Sequence, residues 1–215
     1  MPSPPLFNRS LPPDARLRSS RRLDWRFLLP DPNLKRVAYL GPQRKTLLES
    51  LRLFSESLTI LDHFGIDPAD PTQYDITVAI EPSYESLCRA AAALEPGGAL
   101  YVEVSRKFGI RRLLRDLMAW MTNKSRRLVY TSDYPSVIEK AGFTEAQINW
   151  HWPDFESCTK IIPLMDDGAL DYAFLQGGQS HGARLRAISG RWLKRSGLLF
   201  WIIPCFSVVA LRRAD

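Results

Sequence analysis

A handful of side chains sets the chemical question: Gly41, Asp62, His63, Glu81, His151 and Cys158. Gly41 follows the apolar run Val37-Ala38-Tyr39-Leu40, and Asp62 closes the next one, Leu58-Thr59-Ile60-Leu61, about twenty residues on. A glycine lets backbone come close to a ligand, and a strand-end acid accepts hydrogen bonds from adjacent hydroxyls. Strand, glycine, helix, strand and acid in this order is the layout of a nucleotide-binding βαβ unit. The glycine stands alone, however. Pro42 has no amide hydrogen and a restricted φ, and Gln43 and Arg44 add bulk beside it. His63 beside Phe64 reads either as a base or as a packed, hydrogen-bonded group. Glu81 stands just past the apolar run Tyr74 to Ile80, with Pro82 and Tyr84 beside it.

The segment Trp150-His151-Trp152-Pro153-Asp154-Phe155-Glu156-Ser157-Cys158 is the most functional in composition. His151 between two tryptophans reads as an acceptor-orienting group paired with Asp154, or as part of an aromatic core. Nothing near Cys158 suggests the lowered pKa that a nucleophile needs. Basic residues Arg106, Lys107, Arg111, Arg112, Arg115, Lys124, Arg126 and Arg127 frame a helical pattern and read first as a solvated face. The later set, Arg184, Arg186, Arg191, Lys194 and Arg195, reads the same way. Neither gives a strong nucleic-acid signal, because base recognition needs aromatics or forked donors on a defined surface.

The balance of the chain agrees. Its 29 basic and 23 acidic residues leave a formal charge of +6 over 215 residues, modest for the size. Cys88, Cys158 and Cys205 lie far apart, and the histidines are His63, His151 and His181. No Cys-x-x-Cys or His-Glu-x-x-His arrangement exists, so no metal site is expected, and reduced thiols suit a cytoplasmic protein. The longest apolar run, Leu198 to Leu211, is broken by Pro204 and Ser207 and is too short to span a bilayer.

These residues need elements to position them. Residues 1–22, rich in Pro, Ser and Arg, are expected as a flexible lead-in, and 23–215 as one domain. Trp25, Phe27 and Leu28 should pack onto its edge. Arg36 to Leu40 reads as a strand and Arg44 to Phe54 as a helix, with Leu47, Leu48, Leu51 and Phe54 on one face. Tyr74 to Ile80 reads as a strand, followed by a helix capped by Ser83. Pro96-Gly97-Gly98 stops that helix before the strand Ala99 to Val104. Further helices are expected over Ile110 to Met121 and Ser136 to Lys140, and strands over Gln147 to Trp152 and Leu199 to Leu211, the last kinked at Pro204. Strands alternating with amphipathic helices indicate an α/β domain with a mostly parallel sheet. An insertion, 153–197, precedes the final strand, with helices expected from near Ala169 and over Ala183 to Leu193.

In this arrangement the chain resembles the class I S-adenosylmethionine-dependent methyltransferase family. Val37 to Gly41 looks like that family's first strand and cofactor loop, and Leu58 to Asp62 like its second strand with the terminal acid. Tyr74 to Ile80 resembles its fourth strand, Leu94-Glu95-Pro96-Gly97-Gly98-Ala99-Leu100 its stop before the fifth, and Ile138-Glu139-Lys140-Ala141-Gly142-Phe143 the helix end before its sixth. The resemblance covers about Leu34 to Arg212. It implies a Rossmann-like, three-layer αβα sandwich with a mostly parallel sheet and an antiparallel last strand.

Only twelve residues separate Asp62 from Asp75. A crossover needs about a dozen before the strand it delivers, so the third strand is expected to be missing or reduced and the sheet six-stranded or nearly so. The resemblance further implies S-adenosylmethionine held by Gly41, Asp62, His63 and Glu81. Glu81 and His151 are then the catalytic candidates, and Tyr84, Trp152 and Phe155 shape a small-molecule acceptor site under the insertion. The departures at Pro42 and after Asp62 support a second reading, an assembly subunit that has lost the cofactor and binds a protein partner as a homo- or hetero-oligomer. In that case Leu170, Tyr172, Phe174 and Leu175 are expected to face the partner.

Overall fold

The computed structural model describes residues 12–61, 73–105, 134–175 and 203–213, together with 190, 192–194, 196 and 199. Its strands are β1 (Leu34–Leu40), β2 (Ser55–Leu61), β3 (Tyr74–Ile80), β4 (Leu94–Ser105), β5 (Phe143–Trp152), β6 (Lys160–Pro163) and β7 (Cys205–Arg212). They form one seven-stranded sheet in the order β2-β1-β3-β4-β7-β5-β6. β1 lies parallel to both β2 and β3, and β3 parallel to β4. β7 is antiparallel to both its neighbours, β4 and β5, and β6 is antiparallel to β5.

Position in the sheet explains the composition of each strand. β3 is buried at every residue but Asp75, as a central parallel strand covered on both faces should be. β2 has no fully buried residue, as befits an edge. One face carries α2 (Lys45–Phe54), which buries Leu47, Leu48 and Leu51 against Val37, Tyr39, Val78 and Tyr101. The other carries α3 (Tyr84–Ala93), α4 (Tyr134–Lys140) and α5 (Asp167–Leu175), which meet Leu100, Val102, Phe206 and Val208 through Leu87, Ile138 and Leu170. Ser83 Oγ accepts from the Ser86 amide at 3.1 Å and starts α3 at the expected residue.

Several expectations change. The sheet has seven strands rather than six because Lys160–Pro163, inside the expected insertion, pairs along β5. Among the described residues no strand lies outside β2. Residues 62–72, where the shortened third-strand region falls, lie outside the described residues, as do the helix over Ile110 to Met121 and its basic set. β7 starts at Cys205, just after Pro204, so this strand does not have to accommodate that proline. Residues 1–22 are not wholly a lead-in: α1 (Pro13–Arg22) is helical, and Arg22 is buried. It is anchored by a carboxylate deep in the sheet.

Past α1, a single 3-10 turn, Asp24–Leu28, inserts Trp25 into the core while Leu23 and Leu29 are buried on either side. Phe27, expected to pack, is 63% exposed because the short turn aims it outward. The Trp25 ring stacks on Tyr101 of β4 at 3.7 Å between centroids. Replacing a buried tryptophan by alanine removes its transfer energy and leaves a cavity, at a cost of about 3–5 kcal/mol. Trp25→Ala should therefore shift the urea midpoint strongly while Phe27→Ala leaves it nearly unchanged. Equal midpoints for the two variants would refute this packing.

Candidate ligand crevice at the carboxyl edge

The chain leaves β1 toward β2 on one side and β3 on the other, so the order reverses between β1 and β3. At the carboxyl ends of these two strands stand Gly41 and Glu81. Such a switch point opens a crevice where open α/β sheets bind ligands. Gly41 has φ +128°, and a Cβ there would lie 2.6 Å from the Ile80 carbonyl oxygen. The glycine is therefore required by the close passage of the loop over β3, whatever else it serves.

Tyr39 governs the rest of the loop. Its hydroxyl donates to the Pro42 carbonyl at 2.6 Å and accepts from the Arg44 amide at 3.3 Å. The loop's polar backbone is thus partly satisfied from within. Arg44 Nη2 then meets Glu81 Oε1 at 3.2 Å, closing an ion pair between the β1 loop and the end of β3, with both side chains a little under half exposed. Glu81 holds φ +49°, and its amide donates to the Glu103 carbonyl at 2.8 Å.

Through Glu103 the crevice is joined to a buried polar hub. Arg22 Nη1 and Nη2 reach the two carboxylate oxygens of Glu103 at 2.7 and 2.8 Å, and Nε reaches Glu156 at 3.3 Å. Tyr101 donates its hydroxyl to Glu103 at 3.1 Å, and the Arg22 guanidinium lies 5.7 Å from the Phe155 ring centre. Burial works against the Arg22 charge, but Glu103 outweighs it and holds Arg22 above its ordinary pKa. Burial, then Glu103, pushes the Tyr101 hydroxyl well up.

No family model matches this chain, and no curated protein matches it. Among solved structures it is similar to a SAM-dependent methyltransferase from Archaeoglobus fulgidus, with 14% identity and a TM-score of 0.50 over 91% of this chain and 94% of that one. It is also similar to a SAM-dependent methyltransferase from Thermotoga maritima, with 13% identity and a TM-score of 0.48 over 93% and 91%. The fold is that of the class I methyltransferases. Identity this low establishes architecture and no more.

On this methyltransferase fold the residues singled out in the sequence divide into separate groups. Gly41 and Glu81 share the crevice, and Tyr84 opens α3 beside them, half-exposed, its hydroxyl 3.4 Å from the Lys140 carbonyl. Asp62 and His63 lie outside the described residues. His151 sits on β5, beyond β4 and β7 from β3, roughly 14 Å away by strand spacing. The two catalytic candidates therefore do not meet. His151 is buried, with Nε2 2.8 Å from Ser207 Oγ and Nδ1 3.6 Å from Cys158 Sγ, and Asp154 instead caps the amides of Glu156 and Ser157.

Trp152 and Phe155 part as well. Along β5 the side chains alternate, so Trp152 lies edge-on to Trp150 on one face while Phe155 packs on His151 from the other. Phe155 is buried beneath Arg22, and only Trp152 is well exposed. The start of the expected insertion is thus an edge strand and not a cover over the crevice. The expected partner patch on α5 divides too: Leu170 and Phe174 pack inward and Tyr172 faces out. Burial pushes the Cys158 thiol up, and that of Cys205 up to about 12, which suits structural thiols.

A cavity of about 130 Å³ opens at the opposite edge of the sheet, lined by Asn33, Asp75, Glu95 and Gly98 among others. Its acids are already paired: Arg36 bonds Asp75 at 2.8 Å and Glu95 at 2.8 Å, and Lys35 meets Asp31 at 3.2 Å. Arg22, Glu103, Tyr39 and Arg44 escaped the sequence reading. Glu103, an acid inside the apolar run Tyr101 to Val104, is the signal that could have exposed the hub.

Two outcomes test this geometry. Burial, then Arg22, depresses His151 to about 3, so the folded state holds it neutral while the unfolded chain takes a proton near pH 6.5. The unfolded state then binds more protons between those values, and stability falls by about 1.4 kcal/mol per pH unit as pH drops below 6.5 toward 3. His151→Gln should flatten the stability profile between pH 6.5 and 5. An unchanged slope would place the histidine in water. Gly41→Val should destabilise the ligand-free protein by more than about 1 kcal/mol, since it adds strain at positive φ to a clash with Ile80. A wild-type melting temperature in that variant would contradict the close loop passage.

Proposed function

We propose that this chain is an S-adenosylmethionine-dependent methyltransferase acting on a small-molecule acceptor, with the cofactor across the β1–β3 crevice. The observation that carries this reading is the placement of Gly41 and Glu81 at the switch point of a methyltransferase fold. The donor set fits the amino-acid end of the cofactor: Arg44 supplies a cation for a carboxylate and Glu81 an acceptor for an ammonium. Asp62 is the residue proposed to receive the ribose hydroxyls, with His63 beside it. The cofactor, when bound, supplies an electrophilic methyl group.

The chain's own part is alignment and exclusion of water. Effective molarity from a held geometry can carry much of a methyl transfer, and no protein base has to meet the acceptor. Glu81, with its amide anchored on Glu103, and Tyr84, at the first turn of α3, border the acceptor side. His151 and Phe155 belong to the packing behind β4 and take no direct part.

One observation favours a second reading, a cofactor-free assembly subunit. Tyr39 consumes the Pro42 carbonyl and the Arg44 amide, and Pro42 has no amide hydrogen, so this loop offers little backbone to a ligand. Isothermal titration with S-adenosylmethionine and S-adenosylhomocysteine separates the two. Binding of either in the micromolar range, with an upward thermal shift, is expected for the enzyme. No heat and no shift at millimolar ligand would reject it and leave the assembly reading.

A further inference from the structure

Among the described residues the large apolar side chains that stay in water are not spread evenly. Trp152, Met165, Tyr172 and Trp192, each 47% to 67% exposed, stand at the corner built by the end of β5, β6, α5 and the helical residues 190 and 192–194. Internal contacts hold this corner together. Trp152 lies edge-on to Trp150, and Trp150 leans on Phe174 of α5 with ring centres 6.3 Å apart. A side chain at Gly190 would run into the Phe174 ring, and Lys194 pairs with Asp167 at the other end of α5. The 190–194 stretch therefore runs antiparallel along α5 and brings Trp192 level with Tyr172 to within about a turn. Phe174 and Leu193 pack inward, while Tyr172 and Trp192 face out. A folded domain rarely leaves such a cluster uncovered.

Charge indicates what covers it. Thirteen of the chain's 29 basic residues fall in 106–133 and 176–204, against two of its 23 acids, and the rest of the chain is net acidic. The first tract follows Ser105 and the second ends just before Cys205, and these two residues are register partners in the sheet. Cys205 in turn donates its thiol to the carbonyl of His151, next to Trp152, at 3.1 Å. Both basic tracts are thus tethered beside the exposed tryptophan. Within the second, Arg191, Lys194 and Arg195 flank Trp192 in sequence. The acids of the corner are engaged: Asp166 accepts from the Gly168 and Ala169 amides, and Asp167 from Lys194. We propose that this corner is a docking surface for an anionic phospholipid bilayer. Tryptophan and tyrosine rings settle at the headgroup boundary, where one end is apolar and the other wet, and basic side chains reach the phosphates. A second copy of the chain fits less well, because it would set like-charged tracts against each other. Bilayer binding needs no cofactor and is independent of the crevice.

Vesicle sedimentation of the full chain tests the surface. Vesicles of phosphatidylcholine alone are compared with vesicles holding about one third phosphatidylserine. The wild type should sediment with the anionic vesicles, hardly with the neutral ones, and should be released as NaCl rises from about 0.1 to about 0.5 M. Tyr172→Ala combined with Trp192→Ala should lower the partition coefficient at least roughly fivefold. Its melting temperature should stay at the wild-type value, because both rings stand in water. Phe27→Ala, as exposed as Trp192 but outside the corner, should leave partitioning unchanged. No wild-type sedimentation with anionic vesicles would overturn the proposal. So would partitioning that survives the double substitution, or that falls as far in Phe27→Ala. A lowered melting temperature in the double variant would return the two rings to the core and overturn it as well. A wild-type dimer that the double substitution dissociates, without vesicle binding, would assign the corner to a second copy instead.

Discussion

The buried Arg22–Glu103 pair is the interaction on which the arrangement of this protein depends. A carboxylate inside a central strand is strongly unfavourable unless a matching cation arrives with it, because removing a charge from water costs several kcal/mol after relaxation. Here the cation comes from outside the sheet, on the last residue of α1. The pair therefore ties a segment before the first strand to the middle of the sheet. Leu23 and Trp25 follow immediately and enter the same core. Without Arg22, Glu103 would be an unpaired buried charge. Without Glu103, the Arg22 guanidinium would keep only a partly exposed carboxylate partner, Glu156.

The same pair divides the carboxyl edge in two. On one side of β4 lie Gly41, Arg44 and Glu81, whose polar tips reach water. On the other lie His151, Ser207, Cys158 and Phe155, sealed by Arg22 and held neutral. That division explains why the histidine between tryptophans is buried and held neutral. Low exposure and a nearby guanidinium both disfavour imidazolium, and the ring nitrogens are occupied by a hydroxyl and a thiol. The backbone of Glu103 joins the halves, since its carbonyl holds the Glu81 amide while its side chain holds Arg22.

Much of the architecture was legible because local rules agreed with one another. Tyr74 to Ile80 is apolar and β-branched, Ser83 caps the helix after it, and no competing pattern overlaps either. The misses were non-local. Lys160–Pro163 is too short to declare itself a strand and becomes one only because β5 offers an unpaired edge. Residues 13–22 are mostly polar, and their helix is anchored at its end by an arginine reaching a carboxylate 81 positions away. Trp152 and Phe155 looked like one cluster because they are close in sequence, yet β5 ends at Trp152, and the chain beyond it brings Phe155 onto the His151 face while Trp152 lies with Trp150 on the other. For the candidate site, Gly41 and Glu81 could be read from their strand-end positions, whereas the Arg44 contact depends on the spatial order of β1 and β3.

A loop with one glycine and a proline looks impoverished beside a glycine-rich ligand loop, and the structure gives the physical trade. Gly41 is spent on clearing Ile80 and Pro42 presents its carbonyl to Tyr39, while the proline has no amide to offer the crevice. In the cofactor-binding reading proposed above, recognition passes from backbone amides to side chains. Side-chain charges at a half-exposed rim lose more to water than fixed amides do, so they help only when their roots are immobile. Tyr39 under Arg44 and Glu103 under Glu81 supply that immobility. The proline that cannot donate an amide thus belongs to the same hydrogen-bonded turn that steadies Arg44, because one tyrosine hydroxyl holds both the Pro42 carbonyl and the Arg44 amide.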